Sequence, residues 1–192
     1  MDIEVVKEGV DAEASSVVEE PTPAASPRSV IGSIKELRQK IIDGLYIDLK
    51  CPRWPEGIDA FVRYGPVKAS KVDQSMKRRS AQEHDEHNAS LLLNVDILVD
   101  SCIGIYYCLD GNLDNKYSFK EPEDGSEAQP TDHFTRFDKD LAKTLGMTDY
   151  EARLAENICR KFYFTDGDII DASTRLSSWS AQANEEAEKD FT

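Results

Sequence analysis

The feature that most constrains the fold of this chain is a long apolar segment near its middle, residues 88–109. Its apolar side chains recur at spacings of three and four residues, which is the period of an α-helix. The apolar positions on one face are Leu91, Val95, Leu98, Cys102 and Ile105, and further apolar residues widen that face. A stripe this wide predicts a helix that is buried on most of its sides. We therefore expect residues 88–109 to form the central helix of the core.

The C-terminal third of the chain carries clear signals for where helices begin. Asp138 is placed to cap a short helix, because its side chain can accept hydrogen bonds from the first free N–H groups. The pairs Thr148–Glu151 and Thr165–Asp168 have the spacing of capping boxes. Residues 184–190 are acidic and predict one more short helix. The sequence thus predicts a C-terminal third made mainly of helices.

The helices that follow the two capping boxes carry apolar stripes. The stripe residues that we take as candidate partner-binding residues are Ile158, Phe162, Ile169, Leu176 and Trp179. A groove between these helices could accept the apolar face of a partner helix. Packing of the same residues against the core of the chain is the alternative interpretation. Trp179 is the best test, because aromatic anchors dominate binding energy at interfaces.

Two short segments near the N-terminal side, residues 46–49 and 58–64, are rich in side chains that favour strands. The connection between them contains Pro52, Pro55 and Gly57, which favour turns. These features predict a small β-hairpin. The expected fold class is therefore mainly α, an α+β fold in which a helical bundle surrounds a buried central helix beside the hairpin.

The N-terminal end and one internal segment are more polar than the rest. Residues 1–28 contain seven acidic and two basic residues, and too few apolar ones to offset the entropy of ordering. They predict a disordered acidic tail. Residues 110–133 are rich in Gly, Asp, Glu, Pro and Ser, which predicts an exposed loop. The expected organisation is this tail followed by a single mostly helical domain, residues 29–192, that carries the loop.

The charge balance argues against several classes of partner. The 192-residue chain has 37 acidic and 23 basic residues and a net charge of −14. General binding to nucleic acid or to an anionic membrane normally needs an excess of Lys and Arg, so neither is expected. No run approaches the roughly 18 apolar residues of a membrane-spanning helix, and Met1–Glu4 do not resemble the start of a signal peptide. We expect a cytoplasmic protein.

Cysteine usage agrees with a reducing compartment. The four cysteines are widely spaced and form no CxxC pair: Cys51, Cys102, Cys108 and Cys159. A free cysteine in an apolar pattern behaves as a small hydrophobic residue. The sequence therefore predicts no disulfide and no zinc site.

One segment has the spacing of metal ligands. Residues 110–121 place oxygen-bearing side chains at positions 1, 3, 5, 9 and 12, as in an EF-hand calcium loop. Asn115 stands where that loop needs a glycine, and Pro122 follows where the exiting helix would begin. We expect no metal and no other cofactor. Common nucleophile and phosphate-binding motifs are also missing from the sequence, so we expect no enzymatic activity.

Two further features each leave two interpretations open. A basic cluster in this acidic chain comprises Lys68, Lys71, Lys77, Arg78 and Arg79. It is either a solvated helix face or a docking patch for an acidic segment. Trp54, in the hairpin connection, either anchors the hairpin on the helices or is exposed as a binding residue.

A series of motifs follows a recognisable order along the chain. They are Pro52-Arg53-Trp54, Phe61–Val67, Asn94–Tyr106, Arg136-Phe137-Asp138, Phe164–Ile170 and Trp179-Ser180. With the acidic C-terminal segment, this order resembles the tail assembly chaperones of long-tailed, siphovirus-type bacteriophages that infect actinobacteria. The resemblance extends from Leu45 to Phe191, without the loop at residues 110–133.

The resemblance implies a function in binding. Such a chaperone binds the tape measure protein and keeps it soluble during tail assembly, in the host cytoplasm, and is not found in the mature virion. Self-association is left open as a further interaction. Two alternative functions are an acidic DNA-mimic inhibitor of a host nuclease and a minor structural protein of the virion.

Overall fold

A computed structural model describes residues 44–82, 86–122 and 125–189, together with Glu36, Lys40 and Ile41. Within these residues the chain forms five α-helices and a four-stranded antiparallel sheet, so the expected α+β class is confirmed. The acidic tail predicted at residues 1–28 lies outside the described residues. The sheet is larger than the predicted hairpin.

The strands of the sheet lie side by side in chain order. They are β1 (Ile47–Lys50), β2 (Ile58–Tyr64), β3 (Cys102–Leu109) and β4 (Tyr117–Ser118). The predicted hairpin is β1–β2, in which Leu49 lies opposite Val62. Strand β2 pairs along its whole length with β3, although β3 follows two intervening helices in the sequence. This long-range pairing puts Ile58 opposite Leu109 at one end of the sheet.

The helices share one hydrophobic core with this sheet. They are α1 (Ala69–Gln82), α2 (Glu86–Ser101), α3 (Lys139–Thr144), α4 (Ala155–Phe162) and α5 (Asp166–Lys189). Helix α2 contacts α1, α4 and α5. Its buried face carries Leu91, Val95 and Leu98, whereas Ser90 and Asp100 are exposed. A further short helix was predicted at residues 184–190, and the described part of that segment, up to Lys189, is instead the end of α5.

Residues 102–109 form strand β3, and the prediction that they continue the central helix is wrong. The segment is rich in Ile and Tyr, which favour strands. Gly104 is needed here, because a Cβ at this position would lie 2.8 Å from the Cβ of Phe134. Both faces of the strand contain buried residues, so its sequence lacks the polar and apolar alternation of a half-exposed strand. Periodicity alone does not distinguish such a strand from a buried helix.

The helix starts agree with the predicted caps, with one shift. The Asp138 side chain accepts hydrogen bonds from the N–H groups of Asp140 and Leu141 at the start of α3. The hydroxyl of Thr165 accepts one from the N–H of Asp168 at the start of α5, at 3.2 Å. The Thr148–Glu151 box also forms, but it opens a 3-10 turn at Glu151–Arg153, and α4 begins later at Ala155.

The predicted exposed loop, residues 110–133, is only partly a loop. It contains strand β4 and the buried side chain of Phe119. Most of its other described residues are exposed. Phe119 joins the core that the sheet and the helices form between them. This part of the chain therefore contributes one wall of the surface described below.

Candidate partner-binding surface

Four of the five candidate residues on α4 and α5 lie inside the core. Ile158, Phe162, Ile169 and Leu176 each expose no more than 1% of their surface. Trp179 is partly buried and packs against the same core. An amphipathic helix on a sheet turns its apolar stripe inward, away from water. The structure therefore corrects the groove that the sequence suggested: these four residues pack against the core and do not line the surface.

Phe162 instead lies at the centre of an aromatic cluster. Its ring centroid is 5.2 Å from that of Trp54 and 6.0 Å from those of Phe119 and Phe137. Trp54 also contacts Phe119, at 5.1 Å. These rings come from the hairpin connection, the segment after β4, the segment before α3 and α4. Trp54 therefore anchors the hairpin on the helices, as one interpretation of its sequence position predicted.

The position of Trp54 is reinforced by contacts with the start of α5. Arg53 has a left-handed φ of 69°, and its Nε donates a hydrogen bond to Oδ2 of Asp168 at 2.9 Å. Phe164 lies edge-on to Trp54, with ring centroids 5.9 Å apart, and its side chain is 54% exposed. Motifs from residues 52–54 and 164–170, far apart in sequence, therefore meet at this place.

An apolar groove opens to the surface beside the aromatic cluster. Its volume is about 400 Å³. Its apolar walls are formed by Trp54, Ile58, Tyr107, Leu109, Phe119 and Pro122, with Lys120 and Glu121 also among the lining residues. Leu109 is 40% exposed. A concave, mostly apolar surface with polar residues among its walls is suited to receiving apolar side chains of a partner.

The residues of the apolar groove were not found by sequence reasoning. They come from the hairpin connection, the ends of β2 and β3, and the segment that follows β4. Each of these residues is ordinary in its own segment, so no local pattern marks it. The one signal was Trp54 between two prolines, which was correctly interpreted as an anchor but not as the wall of a groove.

The basic cluster has two parts with different environments. Arg78 and Arg79 both bind the carboxylate of Asp96, whose side chain is 2% exposed, at 2.7 and 2.6 Å. The hydrogen bond with Asp96 raises the pKa of Arg78. These contacts join α1 to α2 and so give the two arginines a structural role. Lys68, Lys71 and Lys77 are exposed on the surface.

The segment with calcium-ligand spacing begins as the turn between β3 and β4 and continues through β4 to Glu121. Asp110 and Gly111 have positive φ values of 50° and 73°. The side-chain oxygen of Asn112 accepts a hydrogen bond from the N–H of Asp114, at 3.1 Å. In the described part of the chain, no group of three or more His, Cys, Asp or Glu side chains is placed to hold a metal ion. That calcium has no effect on this protein stays a prediction.

All four cysteines are buried free thiols. Burial raises the pKa of Cys102 to about 12 and raises the pKa values of Cys51 and Cys159 well above their ordinary values. Such thiols hold almost no thiolate at neutral pH and are poor nucleophiles. Next to them, the hydroxyls of Tyr64 and Tyr163 share a hydrogen bond of 2.6 Å in the middle of the core.

Comparison with protein-family models, curated protein sequences and solved structures found no match. Among the described helices, none is long and apolar enough to span a membrane. Inference about the function therefore depends on the motifs and surfaces of the chain itself.

Proposed function

We propose that this protein is a tail assembly chaperone of a siphovirus-type bacteriophage of actinobacteria, which binds the tape measure protein and keeps it soluble during tail assembly. The observation that carries the proposal is the apolar groove. Trp54 in its wall and Phe164 next to Trp54 belong to two of the motifs on which the resemblance depends. The motifs thus converge on a surface of the kind that a chaperone needs.

The physical requirements of this function agree with the molecule. A tape measure protein exposes amphipathic helices before the tail tube covers them, and an apolar groove can bury their apolar side chains. A net charge of −14 keeps the complex soluble and disfavours nucleic acid and anionic membranes as partners. The activity requires neither catalysis nor a cofactor. The protein would act in the host cytoplasm and be missing from the mature virion.

A finer description of the fold belongs to the same proposal. In it, α2 is the central helix of a helical bundle that supports the sheet and its groove. Its contacts with α1, α4 and α5 support this description, as does the burial of Leu91, Val95 and Leu98.

Co-expression with the tape measure protein of the same phage tests the proposal. Leu109→Glu places a charge in the groove at a side chain that is already partly exposed. Leu154→Glu is the matched control, because Leu154 is 56% exposed and is not a lining residue of the groove. We expect the tape measure protein to be soluble with the wild type and the control, and to precipitate with Leu109→Glu or alone.

Circular dichroism of each purified variant shows whether it is folded. A tape measure protein that is soluble by itself, or equally soluble with folded Leu109→Glu, would contradict the proposal. Mass spectrometry of purified particles separates the alternative: a copy number typical of virion components would favour a minor structural protein.

A further inference from the structure

Strand β1 forms one edge of the sheet, and a single hydrogen bond shows how its backbone is oriented. The N–H of Cys51 donates to the carbonyl of Ala60 at 2.8 Å. Hydrogen-bonded and non-bonded positions alternate in an antiparallel pair. Because the backbone of Cys51 is hydrogen-bonded to β2, the alternation makes Leu49 and Ile47 hydrogen-bonded to β2 as well. The backbone N–H and C=O groups of Asp48 and Lys50 therefore point away from β2, towards the outside of the sheet.

The two edges of the sheet differ in how they are covered. At the β3 side, β4 and the segment at Thr135 take up backbone groups, with the N–H of Ile105 donating to the carbonyl of Thr135 at 2.7 Å. At the β1 side, no backbone group in the described part of the chain bonds to Asp48 or Lys50. Helix α5 contacts β1, and a cavity of about 390 Å³ beside this edge is lined by residues of both elements. Exposed edges are where sheets add strands from other chains.

The side chains of β1 are complementary to themselves. When two copies of β1 are aligned antiparallel about Leu49, Asp48 of each copy falls opposite Lys50 of the other. These are the two residues whose backbone groups point outward, so both pairs would be hydrogen-bonded pairs. Opposite charges that face each other across strands stabilise the pairing. Tyr46, which is 52% exposed, would fall opposite Pro52.

The charged side chains on the outer face of β1 form ion pairs with the neighbouring strand β2. Asp48 accepts a hydrogen bond from Nε of Arg63 at 2.8 Å, and Nζ of Lys50 lies 2.7 Å from Oδ1 of Asp59. The ring of Tyr46 lies under the Arg63 guanidinium, at 4.0 Å. In a pair of strands, these contacts would join into one network across both copies.

We propose that the outer edge of β1, to which no described backbone group bonds, pairs with β1 of a second copy of this chain and joins the two sheets into one in a symmetric dimer. The interface is isologous, since Ile47–Lys50 of each copy contact the same residues of the other copy. This inference goes beyond the chaperone function and does not depend on it.

Sedimentation velocity of the full chain, over a series from about 1 to 100 µM, tests the proposal. We expect the wild type to dimerise. Lys50→Glu places a carboxylate opposite Asp48 of the other copy, and this happens at two places in the symmetric dimer. Asp48→Lys likewise places an ammonium group opposite Lys50 of the other copy at both places. Each variant alone should raise the dimer Kd at least about tenfold. An equimolar mixture of the two should form a heterodimer, because opposite charges again face each other.

A proline variant tests the backbone part of the interface. Lys50→Pro removes an N–H that points away from β2, so it costs no hydrogen bond within the sheet. It should abolish the dimer, whereas Lys50→Thr, which keeps the N–H, should weaken it less. Circular dichroism confirms folding, and the charge pair keeps the test decisive if the proline variant unfolds.

Three results would overturn the proposal. The first is a wild type that stays monomeric throughout the series, which would make Lys50 a guard against pairing. The second is a dimer that is indifferent to Lys50→Glu and Asp48→Lys. The third is a mixture of these two folded variants that forms no heterodimer.

Discussion

Two apolar regions of this molecule have similar side chains but differ in what covers them. The stripe on α4 and α5 is buried in the core, where both helices pack against α2, and Phe162 and Leu176 are fully inaccessible. The apolar groove stays open, and Leu109 in its wall is partly exposed. The stripe faces a neighbouring layer, whereas the groove lies where strands end. An apolar pattern therefore predicts that its residues need cover, but not whether the chain itself supplies it.

Two phenylalanines that lie two residues apart in sequence give the strongest test of this comparison. Phe162→Ala should reduce the free energy of unfolding by about 3–5 kcal/mol, because the side chain is fully buried in the aromatic cluster. Phe164→Ala should cost about 1 kcal/mol or less, because more than half of Phe164 is exposed. Urea unfolding measures both losses. Equal losses would mean that the two regions are not distinct.

A pair of leucines repeats the test with aliphatic side chains. Leu176→Ala, in the stripe, should cost about 2–5 kcal/mol through the lost contacts and the cavity left behind. Leu109→Ala, in the groove, should cost less than about 1 kcal/mol, because its side chain already contacts water. Both values come from denaturant unfolding. A large loss at Leu109 would show that the groove belongs to the core.

Trp179 lies between the two cases, because it is partly buried but was the leading binding candidate. We expect Trp179→Ala to reduce stability by about 1–3 kcal/mol, because part of the ring packs against the core. We expect the tape measure protein to stay soluble when co-expressed with this variant. Precipitation with a folded Trp179→Ala variant would instead assign Trp179 to the binding surface.

The smallest expected effect concerns the turn that leads into α4. Hydrogen bonds from the N–H and the hydroxyl of Thr148 lower the pKa of Glu151 below its ordinary value of 4.5. Because the folded-state pKa is the lower one, the cap stabilises the fold at neutral pH, and this contribution is lost as the pH falls through that pKa.

Glu151→Gln should therefore lower the Tm slightly at pH 7 and have less effect near pH 3. Thermal unfolding of both proteins across this range measures the difference. Lys139→Gln, on an exposed side chain of α3, serves as a control for the change of one charge. A difference in Tm between wild type and Glu151→Gln that does not depend on pH would contradict the stabilising role given to the ionised carboxylate of Glu151.

Local signals in the sequence predicted much of the fold. Asp138 and the Thr165–Asp168 pair cap α3 and α5 as expected, because capping depends on residues within one turn of each other. The β1–β2 hairpin was also predicted, since its turn residues lie within a few positions of the strands. The resemblance to tail assembly chaperones remains a proposal.

The main error in the predicted fold was at β3, where the pattern favoured a helix. A strand with buried residues on both faces shows no alternation, and its identity depends on β2, about 45 residues earlier in the chain. Gly104 could have been a warning, because glycine inside a helix is unfavourable. Its reason becomes visible only in three dimensions, where Phe134 packs directly over it.

The sequence by itself determined the α+β fold class, the starts of the C-terminal helices, the hairpin and the apolar character of the stripes. These properties depend on composition and on neighbours within a few positions along the chain. Only the tertiary structure decided that the stripe is core, that Trp54 and Leu109 line a groove, and that no backbone group among the described residues bonds to the outer edge of β1. Exposure of a side chain or a strand edge depends on which distant segments pack against it, and long-range packing leaves no local pattern.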